Sequence, residues 1–214
     1  LFLYFSKGIF MILWTIRHTK PHNPENVCYG RLDFDVSPSF SEEYPKVLEA
    51  VKKNHVSPLQ FYTSPLLRCK RLAEKVKDVV NLEPTPCIDI AEVNFGDWER
   101  QKLTEIEHSE MQAWKNNLRG YQFPNGESFH DVDKRVTKHL EYCLQQDKEC
   151  LWVTHAGVIA SLLHTYAGVP DEDFVEGKFA YATMTRFDFK QENGIWKATY
   201  EHVFEGIPMP PLEM

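Results

Sequence analysis

At 214 residues the chain can bury one substantial core, and a single domain is expected because domains usually run to ~100 to 200 residues. A formal charge of -7 leaves no broad basic field, so neither nucleic acid nor a membrane surface is expected as partner, and any anion site must be small and focused. The five cysteines, at 28, 69, 87, 143 and 150, are odd in number and lack Cys-x-x-Cys spacing; this argues against a disulfide framework or zinc ribbon and points to a reducing cytoplasm.

The opening Leu1-Phe2-Leu3-Tyr4-Phe5 is apolar but is interrupted by Ser6-Lys7-Gly8 and is far short of the ~20 residues of a spanning helix. Residues 1–10 are read as an N-terminal extension and 11–214 as the single domain. A first strand is expected over Met11-Ile12-Leu13-Trp14-Thr15-Ile16, ending at Arg17-His18-Thr19. Residues 20–39 carry Pro21, Pro24, Gly30 and Pro38 and read as an irregular loop. Tyr44, Val47, Leu48 and Val51 recur at helical spacing, and Leu59-Gln60-Phe61-Tyr62 follows as a second strand. Ser64-Pro65 is expected to open the next helix as N-cap and first residue, with Cys69, Leu72, Val76 and Val79 as its buried stripe. Arg68 then lies in the first turn, where its charge opposes the helix dipole and suits an anion ligand.

A third strand is expected at Cys87-Ile88-Asp89-Ile90, before Glu92 and a turn at Gly96. Residues 102–118 show a weaker helical pattern, and Phe123-Pro124-Asn125-Gly126 forms a turn. Ser128 with Asp131 matches a capping box ahead of Val132, Val136, Leu140 and Cys143. Leu151-Trp152-Val153-Thr154 is a further strand ending in His155-Ala156-Gly157, and a helix face follows through Val158, Ile159, Leu162, Leu163 and Tyr166. Residues 179–188 and 195–204 alternate around Asn193-Gly194 as a closing hairpin. Strands alternating with helices predict an α/β fold, a three-layer α/β/α domain with a mostly parallel sheet.

Arg17-His18, Arg68, Glu92 and His155 all fall near the ends of predicted elements, where open α/β folds collect ligands. Two guanidinium forks and an imidazolium can hold the oxygens of a transferring phosphoryl group without a metal, a second and neutral imidazole can attack phosphorus, and a carboxyl can protonate the departing alkoxide. A metal centre is the competing explanation for this set. No close His-x-x-x-His spacing supports one near these residues, and arginines would repel the ion, so neither metal nor cofactor is expected.

The segments Arg17-His18-Thr19, Ser64-Pro65-Leu66-Leu67-Arg68, Glu92 to Glu99, Pro124-Asn125-Gly126-Glu127-Ser128 and Val153-Thr154-His155-Ala156-Gly157 resemble, in order and spacing, the histidine phosphatase superfamily in its phosphoglycerate-mutase-like branch. The resemblance implies that His18 is the phosphorylated nucleophile and that Arg17, Arg68 and His155 bind phosphate. It also implies that Glu92 donates the proton and then serves as base for the hydrolytic water. Where the commonest family motif has Gly, Glu and Asn, this chain has Thr19, Lys20 and Pro24, which argues against a mutase. Thr19 and Cys28-Tyr29-Gly30-Arg31-Leu32-Asp33 look most like α-ribazole phosphatases, which act in cobalamin nucleotide-loop assembly.

The expected function is thus a metal-independent phosphomonoesterase acting on a small phosphorylated metabolite, with α-ribazole 5'-phosphate favoured. A sugar-phosphate phosphatase, a phosphoglycerate mutase or a non-catalytic phosphate-binding module are the alternatives. Glu92 discriminates against the last, since a binder needs no proton donor. Tyr29, Arg31, Phe123, Glu127 and Ser128 are candidates for the substrate pocket, although Ser128 is equally explained as a helix cap.

Overall fold

The computed structural model describes residues 10–172 and 179–207. Residues 1–9 of the expected N-terminal extension lie outside these. One six-stranded sheet has the order β3-β2-β4-β1-β5-β6. Its strands are β1 (Phe10–Arg17), β2 (Gln60–Thr63), β3 (Thr85–Pro86), β4 (Cys150–Thr154), β5 (Met184–Glu192) and β6 (Ile195–Phe204). The α-helices described in full are α1 (Phe40–Lys53), α2 (Leu67–Val80), α3 (His108–Asn116), α4 (Phe129–Gln145) and α5 (Ala156–Ala167). The pairs β1·β4, β2·β4 and β2·β3 are parallel, while β5 pairs antiparallel with β1 and with β6. The domain is α/β with a mostly parallel sheet, as the alternation of elements predicts.

Alternating side chains send the central strands into two cores. Met11, Leu13, Cys150 and Trp152 face the layer holding α4 and α5, while Trp14, Ile16, Leu151 and Val153 face α1 and α2. Every residue of β4 is buried, because it sits between two parallel strands and beneath helices on both faces. Fully burying one such Leu or Val contributes ~1.5–3 kcal/mol, so both layers clamp the strands whose ends carry Arg17 and His155.

Two predicted elements differ. The third strand is displaced to Thr85–Pro86, and Ile88–Ile90 is a 3-10 turn. Pro86 lacks a ladder donor and is tolerated because β3 is the sheet edge; Ile88 then swings outward to 59% exposure while Ile90 is buried. Ser64-Pro65 does not cap α2, which begins at Leu67 after an extended Leu66. The Ser64 amide instead donates to Val153 O at 2.9 Å, continuing the sheet ladder, and the Leu67 amide is capped from a distance by Asp33 Oδ1 at 2.6 Å. Arg68 still falls in the first turn. The Ser128–Asp131 capping box forms as expected, with Asp131 N donating to Ser128 Oγ at 3.3 Å and Ser128 N to Asp131 Oδ2 at 3.0 Å.

Candidate active site

Arg17 and His18 leave β1 at the carboxyl end of the parallel strands, and main-chain bonds fix both. Arg17 N donates to Thr183 O at 2.9 Å, His18 N to Thr154 O at 3.0 Å, and Ala182 N to His18 O at 3.1 Å. His155, the N-cap of α5, leaves the neighbouring β4, and the two imidazole centroids are 5.1 Å apart. Parallel pairing of adjacent strands is therefore what brings the two histidines face to edge.

The contacts of His18 assign its tautomer. Nδ1 lies 2.7 Å from Thr19 O, a carbonyl that can only accept, so Nδ1 carries the proton and Nε2 presents an unprotonated lone pair. Burial first, then the charges of Arg68 and Arg17, lower the His18 pKa well below 6.5, which keeps the ring neutral at pH 7. His155 is lowered likewise by burial, by Arg68 and by His18. Its Nε2 lies 2.7 Å from Ser64 Oγ and 3.4 Å from Cys69 Sγ. The positive charge at this rim thus belongs to the two arginines.

Arg68 is fully buried, with Nη1 donating to Leu32 O and Nη2 to Gly30 O, both at 2.8 Å. Its Nε has no partner among the described residues, which leaves a buried guanidinium with a donor in reserve. The Cys28–Asp33 stretch is therefore the cradle of this guanidinium. Arg17 is held by Phe179 O, which accepts from Nη1. Each guanidinium also lies over a tyrosine ring, Arg17 over Tyr181 at 4.2 Å and Arg68 over Tyr29 at 5.1 Å, and the two phenol oxygens are hydrogen-bonded at 2.9 Å.

Glu92 Oε1 accepts from the amides of Val93 at 3.0 Å and Gly157 at 3.1 Å, placing the carboxyl at the start of α5 two residues beyond His155. A Cβ on Gly157 would stand 2.4 Å from that oxygen, so only glycine admits the carboxyl here. Glu92 Oε2 takes no hydrogen bond from the described residues. Arg135 pins the backbone around it, donating to the carbonyls of Asp89, Ala91 and Glu92 at 2.8, 2.6 and 3.1 Å.

The expected pocket residues divide. Tyr29 lies against Arg68, and Arg31 Nη2 reaches Glu127 Oε2 at 3.4 Å with both side chains half-buried. Glu127 is chiefly a brace: it pairs with Arg135 Nε at 2.9 Å and accepts from Asn94 N at 2.9 Å. Burial alone would raise its carboxyl, but the bonds from Arg135 prevail and lower it. Phe123 does not line a pocket: it is fully buried and packs edge-on against Phe95 and Trp98 at 4.9 and 5.0 Å, because the turn at 123–126 folds it inward. Ser128 is likewise committed to the cap of α4.

Sequence reasoning missed Ser64, assigned to a helix cap, and Tyr181. The signal for Ser64 was its place one residue past a strand end. Tyr181 had none, because a backbone turn carries it to the site: Ala182 holds a left-handed φ of 64°, a conformation costing a residue with a Cβ ~1–3 kcal/mol. The Tyr181 ring is 5.7 Å from that of His18.

The rim of this α/β fold brings together two histidines and two arginines, all four buried. The sequence matches the histidine phosphatase superfamily (branch 1) over residues 13–201. The protein named uncharacterized phosphatase PhoE of Bacillus subtilis is 25% identical over 180 residues, covering 83% of this chain and 88% of its own. Among solved structures, a mycobacterial glucosyl-3-phosphoglycerate phosphatase superposes with a TM-score of 0.75 at 20% identity, covering 89% of this chain and 98% of the other. The α-ribazole phosphatase of Shigella flexneri superposes with a TM-score of 0.73 at 22% identity, covering 94% and 100%. The chain belongs to the histidine phosphatase superfamily and is a phosphatase. No helix among the described residues is long and apolar enough to cross a membrane.

Proposed function

We propose that the protein hydrolyses a small phosphomonoester through a phosphohistidine at His18. The observation that carries this is the Nδ1 contact to Thr19 O, which turns a lone pair on Nε2 outward at a rim lined by two guanidinium groups. Nε2 attacks phosphorus and the P–O ester bond breaks; Arg17 and Arg68 hold the equatorial oxygens, with His155 beside them. Glu92 gives its proton to the departing alkoxide. Now a carboxylate, it takes a proton from water, whose oxygen attacks the phosphohistidine and releases inorganic phosphate with His18 restored. The arginines supply the charge stabilisation for which other phosphoryl-transfer enzymes recruit metal ions.

The favoured substrate is α-ribazole 5'-phosphate, which would place the enzyme in cobalamin nucleotide-loop assembly. Thr19 and Cys28–Asp33 support this reading, as does the likeness to the Shigella flexneri structure. A sugar phosphate is the second reading: Gly30 and Leu32 of that stretch serve Arg68 through their carbonyls, a service any phosphomonoester requires, so this part of the stretch does not select the organic group. The five free cysteines fit a reducing cytoplasm.

A phosphate-release panel without added metal tests the assignment, with α-ribazole 5'-phosphate, sugar phosphates and 3-phosphoglycerate side by side. The highest kcat/KM is expected for α-ribazole 5'-phosphate. A sugar phosphate turned over faster transfers the assignment to the second reading, and transfer of phosphate between positions of 3-phosphoglycerate without release overturns hydrolysis.

A further inference from the structure

Cys87, Asp89 and His139 form a group that the phosphatase chemistry leaves unused. Cys87 and Asp89 follow the edge strand β3, His139 projects from α4, and one donor atom from each lies within 4.8 Å of the other two. Cys87 and Asp89 are half-buried and open a route from solvent, whereas His139 is buried.

The surroundings hold the backbone of the turn and the imidazole ring. Arg135 holds the Asp89 carbonyl at 2.8 Å, setting the turn that carries the two outer donors. The His139 ring is held edge-on by Tyr62 at 4.5 Å and flanked by Trp152 at 5.2 Å. A thiol, a carboxylate and an imidazole are a mixed sulfur, oxygen and nitrogen set. Magnesium and calcium take oxygen donors almost exclusively, whereas zinc-like ions accept all three and readily use three protein ligands with an open fourth position.

We propose that Cys87, Asp89 and His139 bind one zinc-class divalent ion, with water as the fourth ligand. On binding, the Cys87 thiol proton and the proton of the His139 ring, whose pKa burial would lower but the Cys143 and Cys87 sulfurs raise to about 9, pass to solvent, and Lys138, whose Nζ is 3.7 Å from Asp89 Oδ2, gives way. The ion ties the sheet edge to α4 and braces the segment leading from Cys87 to Glu92. Sequence spacing does not show the site, because two donors sit in a Cys-x-Asp turn and the third lies on a helix more than one element later.

The full-length chain, freed of metal under reducing conditions, should be titrated with Co²⁺. A thiolate-to-cobalt charge-transfer band saturating at one equivalent, displaced by Zn²⁺, is the expected result. Cys87→Ser should abolish the band and Asp89→Asn should weaken binding, both at half-buried positions that spare the core. His18→Ala should leave the band intact, because the two sites are distinct. Absence of the band in the wild type, its persistence in Cys87→Ser, or its loss in His18→Ala overturns the proposal. Binding is read by absorbance, so the outcome is independent of whether the proposed hydrolysis is correct.

Discussion

His18, Arg68 and His155 are buried and tied directly to strand ends or to main-chain carbonyls, whereas Arg31 and Glu127 are half-buried and held by other side chains. The first group surrounds the place proposed for phosphorus; in the second, Arg31 is the expected pocket residue and Glu127 the brace that holds it. The difference teaches that, on the proposed reading, the reaction rests on rigid backbone geometry and substrate choice on loop side chains, where homologues of one fold are free to differ. The largest test of the rigid half is His18→Ala. Removing the nucleophile should lower turnover by roughly 10⁴-fold or more, as losses of nucleophiles in covalent mechanisms do, with secondary structure unchanged by circular dichroism. Turnover near that of the wild type would exclude the covalent route.

Glu92 belongs to the buried half, its Oε1 locked by the amides of Val93 and Gly157 and its Oε2 without a hydrogen bond from the described residues. Glu92→Gln keeps the shape and removes the transferable proton. It should cost ~10²-fold or more with a poorly leaving alcohol and much less with a nitrophenol, which departs without protonation. Equal losses on both substrates would assign Glu92 to positioning alone.

The buried histidines also predict how stability depends on pH. Both titrate well below 6.5 in the folded state, so between those values and 6.5 the unfolded chain binds more protons than the folded one. Stability therefore falls as pH drops below 6.5, by up to ~1.4 kcal/mol per pH unit for each histidine, and this contribution is constant above it. Urea unfolding from roughly pH 5.5 to 7 checks the sign, and the difference between wild type and His18→Gln isolates one group. Equal slopes in the two proteins would mean that His18 is not held neutral by the fold.

Much of this was legible in the sequence because strand ends are legible. The apolar runs ending at Arg17-His18 and at His155 set two site histidines, and parallel neighbours must bring such ends together. The Glu92–Gly157 contact could not be read, since it depends on a 3-10 turn where a strand is predicted and on a Cβ being absent 65 residues away. Ser64 was misassigned for a related reason: a Ser-Pro pair suits a helix start, but the sheet ladder claimed its backbone first. Phe123 illustrates the limit for loops, where the turn direction decides whether an aromatic ring faces solvent, substrate or core.

The smallest effect sharpens the boundary between the two halves. Tyr181 and Tyr29 join hydroxyls at 2.9 Å while each supports one arginine, so the pair couples the two guanidinium groups. Tyr181→Phe removes only the hydrogen bond, ~1 kcal/mol, and should lower kcat/KM several-fold. Tyr181→Ala also removes the surface beneath Arg17, and the loss should be larger. Inhibition by inorganic phosphate separates the possible roles, because phosphate lacks the organic group. If the tyrosines position the arginines, both variants weaken phosphate inhibition, Ala more than Phe. If instead Tyr181 contacts the organic moiety, the inhibition constant stays fixed while KM rises, and Tyr181 moves from the rigid half of the site to the variable one.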